Sequence, residues 1–144
     1  MRYVTIGQGE LLARFLALSE AVRRRILRVA GRKAMVPVNK RAKQLCPREM
    51  GLLKKSIGIK VKTYPTTGTV WVGVGPRIGA QFEGVGPDGK KRVPVRYAHL
   101  VERGTRHSPA QPFMRPAMDE KRNEINAILK REVWREIVKA AKKR

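Results

Sequence analysis

His99, Glu102 and His107 form the tightest grouping of side chains that could hold a metal or move a proton, and Cys46 is the chain's one thiol. His99 and Glu102 stand three residues apart and could share a helical face. Neither the paired-histidine spacing of a zinc site nor a nucleophile beside its base follows from them. A histidine and a glutamate in such a segment act more often as hydrogen-bonding partners that fix a turn. Gly73 to Gly79 is rich in glycine yet lacks the lysine and the serine or threonine of a phosphate-binding loop. Cys46, between Leu45 and Pro47, reads as a small semi-buried residue. No residue presents itself for catalysis, for a cofactor or for a metal, and no enzymatic activity is expected.

The segment from Tyr97 to Ala117 is odd for a plain core. Tyr97-Ala98-His99-Leu100-Val101-Glu102-Arg103-Gly104-Thr105 precedes Pro109-Ala110-Gln111-Pro112-Phe113-Met114-Arg115-Pro116-Ala117. Its prolines limit the conformations of the connection, and Gly104 permits a backbone that side chains oppose. A loop this rigid can present Phe113 and Met114 inward, as a lid over a sheet, or outward to a neighbouring subunit. Tyr97, His99, Glu102, Gly104, Thr105, Phe113, Met114 and Arg115 are the candidate assembly residues.

Thirty-three Lys and Arg against 11 Asp and Glu leave a formal charge of +22 on 144 residues. Such a surface binds nucleic acid without reading it, by releasing counterions from phosphates. The aromatic residues, two Trp, three Tyr and three Phe, are scattered, and no aromatic and basic cluster or recognition helix stands out. A basic nucleic-acid-binding protein therefore stays as an alternative. Arg23, Arg24, Arg25, Arg28 and Arg32 share a helical segment whose acids are Glu10 and Glu20, so an external acidic surface is expected against this basic partner face. With one cysteine there is no internal disulfide, which excludes a disulfide scaffold and a multi-cysteine zinc module. Met1 to Gly7 lacks the pattern of a signal peptide, and no apolar run approaches the ~18 residues that span a bilayer. A soluble protein kept in a reducing compartment is expected.

These groups need elements to hold them, and one domain over 1–144 is expected. Leu11, Phe15, Leu18, Val22, Ile26 and Val29 recur at helical steps, predicting an amphipathic helical region over 8–46 that Pro37 kinks or divides. Ile57, Ile59 and Val61, then Val70, Val72 and Val74, alternate as in strands, with Pro65-Thr66-Thr67-Gly68 as their turn. Pro87-Asp88-Gly89 marks a second turn, and Val93 to Tyr97 reads as an edge strand because of Pro94. The fold class is α+β: an antiparallel sheet of about four strands over 55–97, a loop over 98–115 and a long helix over 116–141. Asp119 and Glu120 at one end of that helix, and Lys139, Lys142, Lys143 and Arg144 at the other, complement its dipole.

The phrases Tyr97 to Thr105 and Pro109 to Ala117, with Asp119 following, resemble those of the neck or tail-completion proteins of long-tailed bacteriophages. That family is often called tail-component proteins and includes relatives of the lambda minor tail protein Z. Gly51-Leu52-Leu53-Lys54-Lys55-Ser56-Ile57 is similar to the family's Gly-x-Leu-x-x-Ser-Ile lead into its first long strand. Met50 replaces a small hydroxyl residue, and Arg103 an aromatic one, of the family pattern. The resemblance covers about residues 10–140. It implies a structural virion protein without enzymatic activity, made in the host cytoplasm, that forms a homo-oligomeric ring, hexameric or dodecameric, at the head–tail junction. Its implied partners are further copies of itself, adjacent neck, head-closure and tail-terminator or tube proteins, and, non-specifically, the passing DNA, with no membrane and no cofactor.

Overall fold

Pro37 decides where the amino-terminal helical region divides. In a computed structural model that describes residues 8–47, 51–86 and 88–141, α2 (Glu20–Ala34) ends at Met35 and α3 (Val36–Leu45) begins at once. Pro37 lies in the first turn of α3, where a missing N–H costs nothing because first-turn donors lack intrahelical partners. A second break, absent from the sequence reading, separates α1 (Gln8–Leu16) from α2 at Ser19, whose extended backbone (φ −60°, ψ 153°) interrupts the helix. Met1–Gly7, Met50, Pro87 and the closing Lys142, Lys143 and Arg144, all used in the sequence reading, lie outside the described residues.

The expected hairpin forms, with its turn at 65–68. β1 (Ile57–Tyr64) pairs antiparallel with β2 (Thr69–Pro76) from Ile57 opposite Pro76 to Tyr64 opposite Thr69. Residues 55 and 56 are not strand: Gly51–Ser56 forms the short helix α4, where the buried Ser56 hydroxyl donates to the Leu53 carbonyl at 2.7 Å. The odd-numbered face of β1 looks into the protein. Ile57 is fully buried and Val74 packs on the core, against which α2 and α3 close.

The expected four-stranded sheet does not form. β3 (Gly84–Val85) and β4 (Lys91–Arg92) make a separate two-stranded sheet. The supposed edge strand at 93–97 is instead the start of a helix, α5 (Pro94–Arg103). Val93 is extended, as a residue before proline should be, and the fixed φ of Pro94 suits a first helical turn. Five residues of alternation are too few to separate a strand from a helix. Here the helical reading wins because Tyr97, Ala98 and Val101 then reach the core together. The loop expected over 98–115 therefore shrinks to 104–113, and α6 (Met114–Ala141) starts earlier than 116.

The core gathers Val38 and Ala42 from α3 with Cys46 just after it, Leu53 and Ile57 from the α4–β1 junction, Ala98 from α5, and Phe113, just before α6, with Ala117 from its first turn. Phe113 is the largest fully buried side chain, worth ~1.5–3 kcal/mol of apolar burial. α6 runs across α2 and α3 and is tied to each by an ion pair. Lys33 Nζ meets Glu132 Oε2 at 2.6 Å, and Arg41 grips both oxygens of Glu120 at 2.6 and 3.1 Å. Glu120 thus serves α3 rather than the dipole of its own helix, since α6 begins six residues before it. Met118, in the second turn of α6, is 40% exposed. No helix among the described residues is long and apolar enough to cross a membrane.

Candidate functional site

The start of α6 is held by a side chain from another helix. Its first backbone N–H groups have no partner within the helix and carry the positive end of its dipole. Glu102, in the last turn of α5, meets them: Oε2 accepts from Phe113 N at 2.8 Å and Met114 N at 3.0 Å, and Oε1 from Arg115 N at 2.9 Å. The glutamate caps α6 from outside that helix, whereas the sequence reading had paired it with His99 in a turn.

Gly104 makes the turn between the two helices. With φ 78° and ψ 173° it occupies a region that side chains avoid, and its N–H closes α5 on the Leu100 carbonyl at 2.8 Å. A methyl group on it would stand 2.7 Å from the Ala110 nitrogen. Thr105 N donates to the Ser108 carbonyl at 2.8 Å, His107 N to the Thr105 hydroxyl at 3.3 Å, and Gln111 N to the Val101 carbonyl at 2.9 Å. The loop is hydrogen-bonded along both arms and carries Arg106 and His107 exposed at its tip.

Beside this loop lies a half-open groove of about 590 Å³. It is lined by Val93, Tyr97, Leu100 and Val101, by the cations Lys91, Arg92 and Arg96, and by Thr105, Ser108, Pro109 and Gln111. Lys91 is paired with Glu83 at 2.6 Å and Arg92 faces Asp88 at 3.5 Å, while Arg96 has no ion pair among the described residues. Burial pushes the Tyr97 hydroxyl above its ordinary range against the pull of Arg92, so it is a neutral hydrogen-bonding group.

The candidate assembly residues therefore separate. Tyr97 and Thr105 line the groove, and His99 and Arg115 are exposed outside its lining. Glu102 and Gly104 shape the backbone, and Met114 packs against the core. Of the two orientations open to Phe113 the chain adopts the inward one, fully buried, so its side chain meets no partner. Arg96 and Leu100, not among the candidate assembly residues, come into view once 94–103 is a helix that places them four residues apart on one face.

The basic face divides as well. Arg25, Arg28 and Arg32 are exposed and line a groove with Val29 and Val61 of β1. Arg23 and Arg24 border a different hollow with Phe15, Leu27 and the 66–68 turn, because steps of one or two residues rotate them around the helix. Arg24 stands 3.7 Å from Glu20, whereas Arg25, Arg28 and Arg32 have no ion pair among the described residues. Aromatic and basic groups also meet where none stood out in the sequence: Tyr64 and Trp71 share the outer face of the hairpin with Lys60 and Lys62.

Cys46 is 3% exposed, and burial raises its thiol pKa against the pull of Lys54, which leaves it a packing residue. Among the described residues no three His, Cys, Asp or Glu side chains lie close enough to hold a metal ion. No protein-family model, curated protein or solved structure matches the chain.

Proposed function

We propose that the chain is a structural subunit, without enzymatic activity, of a homo-oligomeric ring, hexameric or dodecameric, at the head–tail junction of a long-tailed bacteriophage. The observation that carries this reading is the Glu102 clamp. The two phrases that resemble the neck proteins, 97–105 and 109–117, are bound into one unit by the three hydrogen bonds to Glu102. That unit offers a fixed loop and a groove lined in part by apolar side chains, the rigidity that a repeated contact requires. A closed ring needs two different patches on each subunit. Large exposed apolar side chains on the arm after β2, Ile78 at 78% and Val85 at 71%, offer the second.

The row Arg25, Arg28 and Arg32 takes an acidic surface of an adjacent neck, head-closure or tail protein, with passing DNA as the secondary partner. Its guanidinium groups suit carboxylates, which they bind in paired hydrogen bonds. The test is genetic. Particles assembled without the chain should accumulate as DNA-filled heads and separate tails, and adding the chain should join them. Normal infectious particles in its absence contradict the reading.

A further inference from the structure

On the outer face of the β1–β2 hairpin, aromatic rings and cations alternate. The register sets Lys62 opposite Trp71, Lys60 opposite Gly73 and Tyr64 opposite Thr69, and the two-residue period of a strand puts all of them on one face. The other face is the one that packs on α2 and α3. Trp71 is 46% and Tyr64 48% exposed. They are diagonal neighbours across the strands, roughly 7–8 Å apart at the backbone. The indole folds back over Gly73: a methyl group there would stand 2.6 Å from the ring, so the glycine leaves the bed on which the ring lies. Farther along, the Arg77 side chain crosses Gly58, and its guanidinium stacks on Phe82 with 4.7 Å to the ring centroid. Neither strand contains Asp or Glu. One carboxylate, Glu20, reaches the turn at Gly68, and Arg24 stands 3.7 Å from it.

We propose that this face binds single-stranded nucleic acid, with successive bases stacked on Trp71 and Tyr64 and the phosphates beside Lys60, Lys62 and Arg77. Exposed rings beside cations form a stacking platform that accepts any base, because every base has a π-face. A duplex hides those faces and can use only the charge. A protein partner fits less well, since lysine is depleted at protein interfaces and here two lysines stand among the rings. Lys60 and Lys62 repeat along the strand at ~7 Å, close to the interval between phosphates of an extended strand. The site is independent of the ring proposed above.

The test uses the full chain carrying Trp134→Phe, which keeps an aromatic ring beneath Arg14 and leaves Trp71 as the one indole. Titration with an oligothymidylate of about 20 nucleotides is expected to quench Trp71 fluorescence, and a duplex of equal length is not. In the natural background Trp71→Leu should weaken single-strand binding about tenfold, with Trp71→Phe restoring most of it. Replacing Lys60 and Lys62 by Ala should reduce the slope of log affinity against log salt by about 1.4. The charge control, Arg25, Arg28 and Arg32 to Gln, should leave the quenching intact. Equal binding of strand and duplex without quenching, or unchanged affinity in a folded Trp71→Leu chain, overturns the proposal. A change of oligomeric state in Trp71→Leu also overturns it, because the face then belongs to a second copy.

Discussion

Glu102 accepts the backbone N–H of Phe113 at 2.8 Å, so the last turn of α5 holds the residue that both opens α6 and fills the core. One carboxylate thereby fixes the register between a surface helix and the longest helix of the chain. Breaking it leaves Phe113, Met114 and Arg115 without partners for their N–H groups. Glu102→Ala should cost ~2 kcal/mol, and Glu102→Gln, which keeps an acceptor without the charge, about half of that. Urea unfolding midpoints measure both; an unchanged midpoint in Glu102→Ala refutes the cap.

Gly104 and Gly89 separate backbone conformation from crowding. Both have positive φ, 78° and 70°, but a methyl group on Gly89 meets open space and one on Gly104 meets the Ala110 backbone. Gly89→Ala should cost ~1 kcal/mol, and Gly104→Ala at least ~3 kcal/mol as strain and contact add. Equal losses in thermal unfolding would show that the loop gives way at Ala110.

Phe113→Ala reports on folding rather than on a partner, because the ring is fully enclosed. A loss of ~3–5 kcal/mol is expected. Phe113→Leu should lose much less and assemble normally, whereas an assembly defect in a Phe113→Leu chain of unimpaired stability would mean that the ring makes an outside contact.

Acid should loosen α6. The Lys33 ammonium holds the Glu132 carboxyl below its usual range, burial opposes this, and Arg135 and Arg131 add to it; hydrogen bonding by Arg41 does the same to Glu120. A carboxyl with a lowered folded-state pKa contributes stability that is present above its unfolded value and lost as pH falls through the folded one. The melting temperature should therefore hold at neutral pH and drop below about pH 4.5, the ordinary value from which both groups are lowered. In a chain carrying both Glu120→Gln and Glu132→Gln the drop should be smaller, and an undiminished drop assigns it to other carboxylates.

The sequence reading succeeded where a pattern was local and long. Eight residues on each side of a proline and glycine turn made the hairpin legible, and Pro37 marked a division within two residues of the break at Met35. It failed where five residues around Pro94 had to choose between two periods, and packing of Ala98 against a distant core made the choice. The cap was illegible because its partners are backbone groups 11 to 13 residues away. Tyr64 and Trp71 looked scattered because only the strand register makes them neighbours. Arg23 and Arg24 were placed with Arg25, Arg28 and Arg32 by proximity in sequence, although the helical turn sends them to another hollow.

The most direct measurement is electron cryomicroscopy of purified particles, comparing the unaltered chain with one in which Arg25, Arg28 and Arg32 are changed to Glu. The account predicts a closed ring of this fold at the head–tail junction, with the groove between α5 and the 104–113 loop occupied, and particles that fail to incorporate the charge-reversed chain. Particles whose junction lacks the fold, or in which it stands elsewhere, contradict the central claim.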